Sequence, residues 1–280
     1  MRLSTLRLSS TRTAAARVDR NRLTLLPFPD VGALLTCESW QEHAAAPGEP
    51  LTPPHAPIES GPLTTRLATF TQVEVNYATR AIERDTPSPP IPRLLTMPVT
   101  AVLGDRDVFR STPAPQIEWG VELGVLIGQY TSCVPRSRAL RSVAGYTVVN
   151  TFAAIGRPAT IAMGPHFVTA DELPLGARGL TLTAALDGRL RQKANTSDLL
   201  FDVATLIEAV SARTVLMPGD LITTGTPAAI STDRLHDGGS ITVGITGIGE
   251  LHTTVTHGPN PAIGHVRPAS GSGEGREARA

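Results

Sequence analysis

The nearest this chain comes to a long apolar run is Val121 to Gly128, and that stretch has the length of a strand. A membrane-crossing helix would need about 18 apolar residues in a row. Every comparable stretch is likewise closed off by turn formers, of which the 280 residues include 25 Gly and 24 Pro. Short apolar runs punctuated in this way predict many strands and few helices. The expected fold is mainly β or α+β, with helices at the edges of a strand-rich body. A hydrophobic share of 41% is ample for a core and argues against global disorder. The balance of 25 basic against 25 acidic residues argues against a nucleic-acid binder, which normally carries a basic surplus. The reading is of a cytoplasmic chain with no membrane and no nucleic-acid partner.

Four stretches are expected along the chain. Residues 1–43 alternate short apolar runs with turns and suggest a small strand-rich N-terminal domain. Residues 44–62 hold Pro47, Pro50, Pro53, Pro54 and Pro57 and suggest a stiff linker. Residues 63–257 form the main domain, and 258–280, without apolar periodicity, suggest a disordered tail. Helical spacing is clearest over Ser197 to Val210, where Leu199, Leu200, Val203, Ile207 and Val210 approximate one face. Cys37 and Cys133 lack ligand spacing, and two buried thiols are expected. Lys193 is the one lysine in the chain, which removes that residue from most catalytic roles.

Several punctuated segments fall in a telling order: Val75-Asn76-Tyr77-Ala78, Ile117 to Gly128, and Gly145-Tyr146-Thr147-Val148-Val149-Asn150. They are followed by Asp187-Gly188 with Gln192 and Asn195-Thr196. Leu216 to Pro227, containing Thr224-Gly225-Thr226-Pro227, comes next, and Gly247-Ile248-Gly249-Glu250-Leu251 closes the series. In order and spacing these segments, spanning roughly 63 to 255, resemble the fumarylacetoacetate hydrolase superfamily. The resemblance implies a β-rich roll with a small N-terminal domain, assembled as a homodimer. It also implies a Mg²⁺ or Mn²⁺ ion held by a Glu-x-Glu pair and a distant Asp, polarising an oxo or enol substrate. Two residues apart on a strand share a face, so such carboxylates can converge on one hard cation.

Carried over residue by residue, the family pattern is incomplete. Glu122 stands at the second glutamate, but Gly120 stands at the first and Thr151 at the aspartate. Arg80 stands where the family has a histidine, three residues before Glu83, and His166 follows the place of an active-site lysine. Glu118 shares the alternation of Glu122 but lies about 13 Å along an extended strand, too far to share one ion easily. The expectation is therefore no metal and no other cofactor. Under the same resemblance, Gly120→Glu with Thr151→Asp is the change expected to rebuild a metal site. Glu122, Arg80 and Glu83 are the candidate catalytic residues; Tyr77, Thr151, His166 and Thr226 are the candidate substrate contacts. Gly225, Gly247 and Gly249 are expected at positive φ.

Each candidate also has an ordinary alternative. Glu122 is then a strand glutamate paired with an arginine, Arg80 and Glu83 a surface i,i+3 pair, and His166 a structural histidine. Two functions follow. In one, the chain is a metal-independent enzyme that isomerises, cyclises, decarboxylates or cleaves an enol or dicarbonyl small molecule, in the manner of secondary metabolism. In the other, it is a non-catalytic relative that binds a ligand or pairs with an active subunit.

Overall fold

A computed structural model describes residues 1–19, 22–51, 59–111, 117–154, 157–227 and 235–258. Residues 52–58 of the Pro-rich linker and 259–280 of the expected tail lie outside the described residues. The strands are β1 (Arg2–Arg7), β2 (Thr13–Asp19), β3 (Arg22–Leu25), β4 (Glu49–Leu51), β5 (Thr69–Val73), β6 (Leu94–Leu103), β7 (Asp107–Ser111) and β8 (Val121–Ile127). They continue with β9 (Val143–Phe152), β10 (Ala159–Thr169), β11 (Thr181–Leu186), β12 (Arg189–Asn195), β13 (Leu221–Thr223), β14 (Ser240–Ile245) and β15 (Gly249–His257). Five short helices interrupt them: α1 (Val31–Leu35), α2 (Trp40–Ala45), α3 (Ala78–Glu83), α4 (Arg136–Ala139) and α5 (Val203–Ser211). This is the β-rich architecture the punctuated sequence calls for.

The large sheet runs β4-β3-β2-β1-β10-β6-β5-β13-β8-β9, and β9 pairs again with β10. That extra pairing closes the strands from β10 to β9 into a ring. The remaining strands continue from the far half of β10, where Arg2 and Leu3 stand across from Val168 and Phe167. Strands from both the N-terminal stretch and the main stretch thus share one hydrogen-bonded ladder. A second sheet, β12-β11-β14-β15-β7, packs on the ring.

Strand β8 lies between the two layers and is buried at all seven positions. Val121, Leu123, Val125 and Ile127 pack into a core shared with Leu182, Val243 and Leu251 of the second sheet. Leu126 joins a separate core with Leu3, Leu34 and Phe167. A strand covered on both faces reads as a continuous apolar run, which is why this segment stands out in the sequence. Glu122 is the one charged side chain on it.

Two local expectations are corrected. The helix near residue 200 begins at Val203, because Asp202 caps it by accepting from the Thr205 N–H. Leu199 and Leu200 precede that cap and lie outside the helix. The thiols are free but not buried: Cys37 is partly exposed and Cys133 exposed. Gly225, Gly247 and Gly249 do take positive φ, at 83°, 81° and 148°. Among the described residues, no helix is long and apolar enough to cross a membrane.

Candidate active site

A cleft opens at the start of β8, where the chain meets β5, α3 and the end of β9. It is lined by Gln72, Arg80, Arg84, Glu118, Gly120, Glu122, Thr151 and Thr226, among others. Its position follows from register. Val121 stands across from Asn150, and the isolated bridge of Glu118 with Ala153 continues the same ladder. Carried between them, that register sets Gly120 opposite Thr151. Glu118, Gly120 and Glu122 therefore present one face, as alternation along a strand requires.

Glu122 is 1% exposed and has no ion pair among the described residues. Its Oε1 accepts from Gln72 Nε2 at 2.7 Å, and its Oε2 accepts from the Gly225 N–H at 3.0 Å. Gly225 can present that N–H because its positive φ turns the chain back beside Val73, whose carbonyl oxygen would lie 2.5 Å from an added Cβ. Burial raises the Glu122 pKa; the Thr223 and Thr151 hydroxyls, the Gln72 amide and the Gly225 N–H pull the other way without cancelling it. Neither threonine hydroxyl completes a hydrogen bond of good geometry. The alternative in which Glu122 pairs with an arginine is not what the fold builds.

The raised pKa has a consequence for stability. The folded state holds the Glu122 proton more tightly than the unfolded chain does, so this carboxyl opposes folding increasingly as pH rises above its ordinary 4.5. Glu122→Gln removes that term, and Gln72 can reverse its amide to accept from the new one. The melting temperature of the variant, measured from pH 5 to pH 8, should gain on that of the wild type as pH rises. A difference independent of pH would mean that Glu122 titrates normally.

Arg80, on α3, is 3% exposed and is no surface residue. Its Nη1 donates to Glu83 at 2.6 Å and its Nη2 to Glu118 at 2.7 Å. Arg84 joins them, bonded to Glu74 at 2.7 Å and standing 3.7 Å from Glu118. The Arg80 Nε–H remains without a partner, as does the Thr151 hydroxyl, both buried. Unpaired buried donors are rare in folded proteins, and two on residues of one cleft mark a place for a ligand. The cleft holds about 110 Å³, below the roughly 300 Å³ of an ordinary ligand pocket, which limits it to a very small molecule.

Of the residues singled out from sequence, Glu122, Arg80, Thr151 and Thr226 come together here. Glu83 reaches the site through its bond to Arg80. Tyr77 is buried beside it, close enough for the Glu122 charge to be felt; burial raises its phenol pKa. His166 lies elsewhere: its Nδ1 meets the Ser4 hydroxyl at 2.7 Å, at the junction of β10 with β1. Burial and the nearby Arg2 push its pKa down to about 4, which leaves a neutral, structural ring at pH 7. Sequence reasoning did not assign Gln72, Glu74 or Arg84 to the site and gave Gln192 no part in the chemistry. Gln192 fills the space beside Gly120, its Oε1 accepting from the Val121 N–H and its Nε2 donating to Thr226 Oγ1.

These donors do not fit the divalent cation that the family resemblance implies. A hard cation needs several converging oxygens, with carboxylates at their centre. Glu118 is held by two arginines, Thr151 offers a neutral hydroxyl, and both Glu122 oxygens already accept N–H bonds. Among the described residues no three His, Cys, Asp or Glu side chains converge. Nor is the gap at Gly120 open: an added Cβ would lie 2.4 Å from Thr226 Oγ1 and 2.8 Å from Gln192 Nε2. Gly120→Glu should therefore cost about 1–3 kcal/mol through overpacking. Contrary to the sequence expectation, the double variant with Thr151→Asp should still bind Mn²⁺ no better than the parent. Thermal melting and calorimetry check both, and recovered micromolar affinity would show that Gln192 and Thr226 give way.

Comparison with known proteins bears on the family and the fold. The family model for the fumarylacetoacetate (FAA) hydrolase C-terminal domain matches residues 69–256. A Burkholderia ambifaria protein with a provisional hydrolase name is 34% identical over 206 residues, 66% of this chain and 73% of that one. Protein Rv2993c of Mycobacterium tuberculosis is 31% identical over 200 residues, 66% of this chain and 74% of that one. Among solved structures, 5-carboxymethyl-2-hydroxymuconate delta-isomerase from Mycobacterium smegmatis is similar at 25% identity with a TM-score of 0.73, covering 93% of this chain and 100% of its own. Maleylpyruvate hydrolase from Sphingobium sp. SYK-6, solved with manganese and pyruvate, shares the fold at 24% identity and a TM-score of 0.74, covering 92% and 100%. With two thirds of its length matched by the family model, the chain belongs to the fumarylacetoacetate hydrolase superfamily.

Proposed function

We propose that the protein is a metal-independent enzyme that moves a proton on an enol or dicarbonyl small molecule, with isomerisation as its reaction. The observation that carries this reading is Glu122: a fully buried carboxyl, free of ion pairs among the described residues, lining a cleft beside unpaired donors. A carboxyl whose pKa is raised toward the working pH can both give and take a proton, which is what a general acid/base requires. In the isomerisation, the Glu122 O–H delivers its proton to the enol carbon as the C=C electron pair moves to form the new C–H bond. The enol oxygen becomes a carbonyl, and its proton passes to solvent or back to the carboxylate. The Arg80 Nε–H and the Thr151 hydroxyl are suited to hold that oxygen while charge develops on it. Glu83 orients the guanidinium and takes no part in proton transfer. The family's named isomerases and hydrolases support this class of substrate.

The second reading, a non-catalytic binding relative, draws on the engagement of both cleft arginines by carboxylates. One assay separates the two. Keto–enol interconversion of methyl acetopyruvate, followed by ultraviolet absorbance with EDTA present, should exceed the buffer rate in proportion to enzyme. C–C hydrolysis of acylpyruvates should be slight by comparison. Binding without any rate above background would select the non-catalytic relative; activity that vanishes in EDTA and returns with Mn²⁺ would remove metal independence.

A further inference from the structure

The charge that the ligand carries is set by how the cleft's cations are used. Among the described residues, Arg80 and Arg84 are the cations lining it. Both η-nitrogens of Arg80 already serve carboxylates, Glu83 and Glu118, and Arg84 is bonded to Glu74. A ligand carboxylate is best held by two parallel N–H bonds from one guanidinium. Here it would have to displace a glutamate from a 3% exposed arginine, and then sit beside the displaced carboxylate of Glu83 or Glu118. Like charges brought together in that way are a strong means of rejection. What remains unpaired is a pair of single donors, the Arg80 Nε–H and the Thr151 hydroxyl. Isolated single donors match carbonyl and enol oxygens.

We propose that the cleft selects an uncharged enol or dicarbonyl and rejects carboxylates, with Glu83 and Glu118 as the residues that impose the preference by occupying Arg80. This rests on the reading above for the place of the site, and it names the charge class of the substrate. The test is equilibrium binding to the full chain, by calorimetry at neutral pH with EDTA present. The probes are methyl acetopyruvate and acetopyruvate, which differ by the ester alone.

In the wild type the ester should bind about tenfold tighter than the acid, or more. Glu118→Gln and, separately, Glu83→Gln should narrow that ratio by raising affinity for the acid, because each releases one side of the guanidinium. Both glutamates are partly exposed, at 40% and 35%, so the variants should fold, and thermal melting checks it. Acid binding equal to or tighter than ester binding in the wild type would overturn the proposal. So would an unchanged ratio in both variants, or binding of neither probe at millimolar concentration. Turnover does not enter this measurement. A charge preference without catalysis would remove the enzyme reading alone, and catalysis without the preference would remove this inference alone.

Discussion

Glu122→Gln should lower the turnover of methyl acetopyruvate by about 10²- to 10⁴-fold, the range for loss of a general acid/base, and leave ligand affinity within a few-fold. The substitution keeps the volume and planarity of the side chain and can keep its bonds to Gln72 and the Gly225 N–H, so the cleft should hold its shape. What disappears is the exchangeable acid proton. The expected signature is a fall in kcat with little change in KM, together with loss of the limb of the pH profile that reports an acid whose pKa lies above the ordinary carboxyl range. A variant as active as the wild type would leave Glu122 as a structural carboxyl and shift the balance to the non-catalytic relative.

Arg80→Ala should have the largest effect on stability among the site residues. It leaves Glu83 and Glu118 facing one another across an emptied, buried space. Removing one partner of a fully buried pair costs about 3–5 kcal/mol. Because both glutamates retain contact with solvent, a value between that range and the ~1 kcal/mol of an exposed pair, about 2 kcal/mol, is the better expectation. For a domain of this size that is a fall in melting temperature of about 4–8 °C. Arg80→Lys keeps the charge but loses the planar fork and the Nε–H, so it should recover part of the stability and little of the ligand affinity. A melting temperature unchanged in both variants would place Arg80 among ordinary surface residues.

The fold was legible where local rules suffice. Runs closed by Gly and Pro marked the strands, and β8 stood out because it is covered on both faces. Gly247 and Gly249 could be read as positive-φ positions because they stand where β14 turns into β15, and Gly225 because it follows β13 in Thr224-Gly225-Thr226-Pro227. The helix boundary was missed because Leu199 and Leu200 fit the helical spacing while the capping role of Asp202 went unused.

The site was half legible. Gly120, Glu122 and Thr151 could be placed together through the family resemblance, and the β8–β9 register brings them together in fact. Arg80 and Glu83 at i,i+3 look the same in sequence whether buried or exposed. Burial of Arg80 and its third partner, Glu118, 38 residues away, are properties of the tertiary structure. Gln72 reaches Glu122 across 50 residues and Gln192 reaches Val121 across 71, with no local pattern to announce either. His166 stands in a sequence neighbourhood that resembles an active-site segment, whereas its side chain turns toward Ser4.

That Glu122 works without a metal is tested most directly by titrating the chelator-treated protein with Mn²⁺, by calorimetry and by electron paramagnetic resonance. With Gln72 and Gly225 on Glu122, two arginines on Glu118 and Gln192 beside Gly120, binding should be no tighter than about millimolar, weaker than a site of converging carboxylates. Turnover should also be the same before and after chelation. Stoichiometric Mn²⁺ binding at micromolar concentration, abolished by Glu122→Gln, would contradict it.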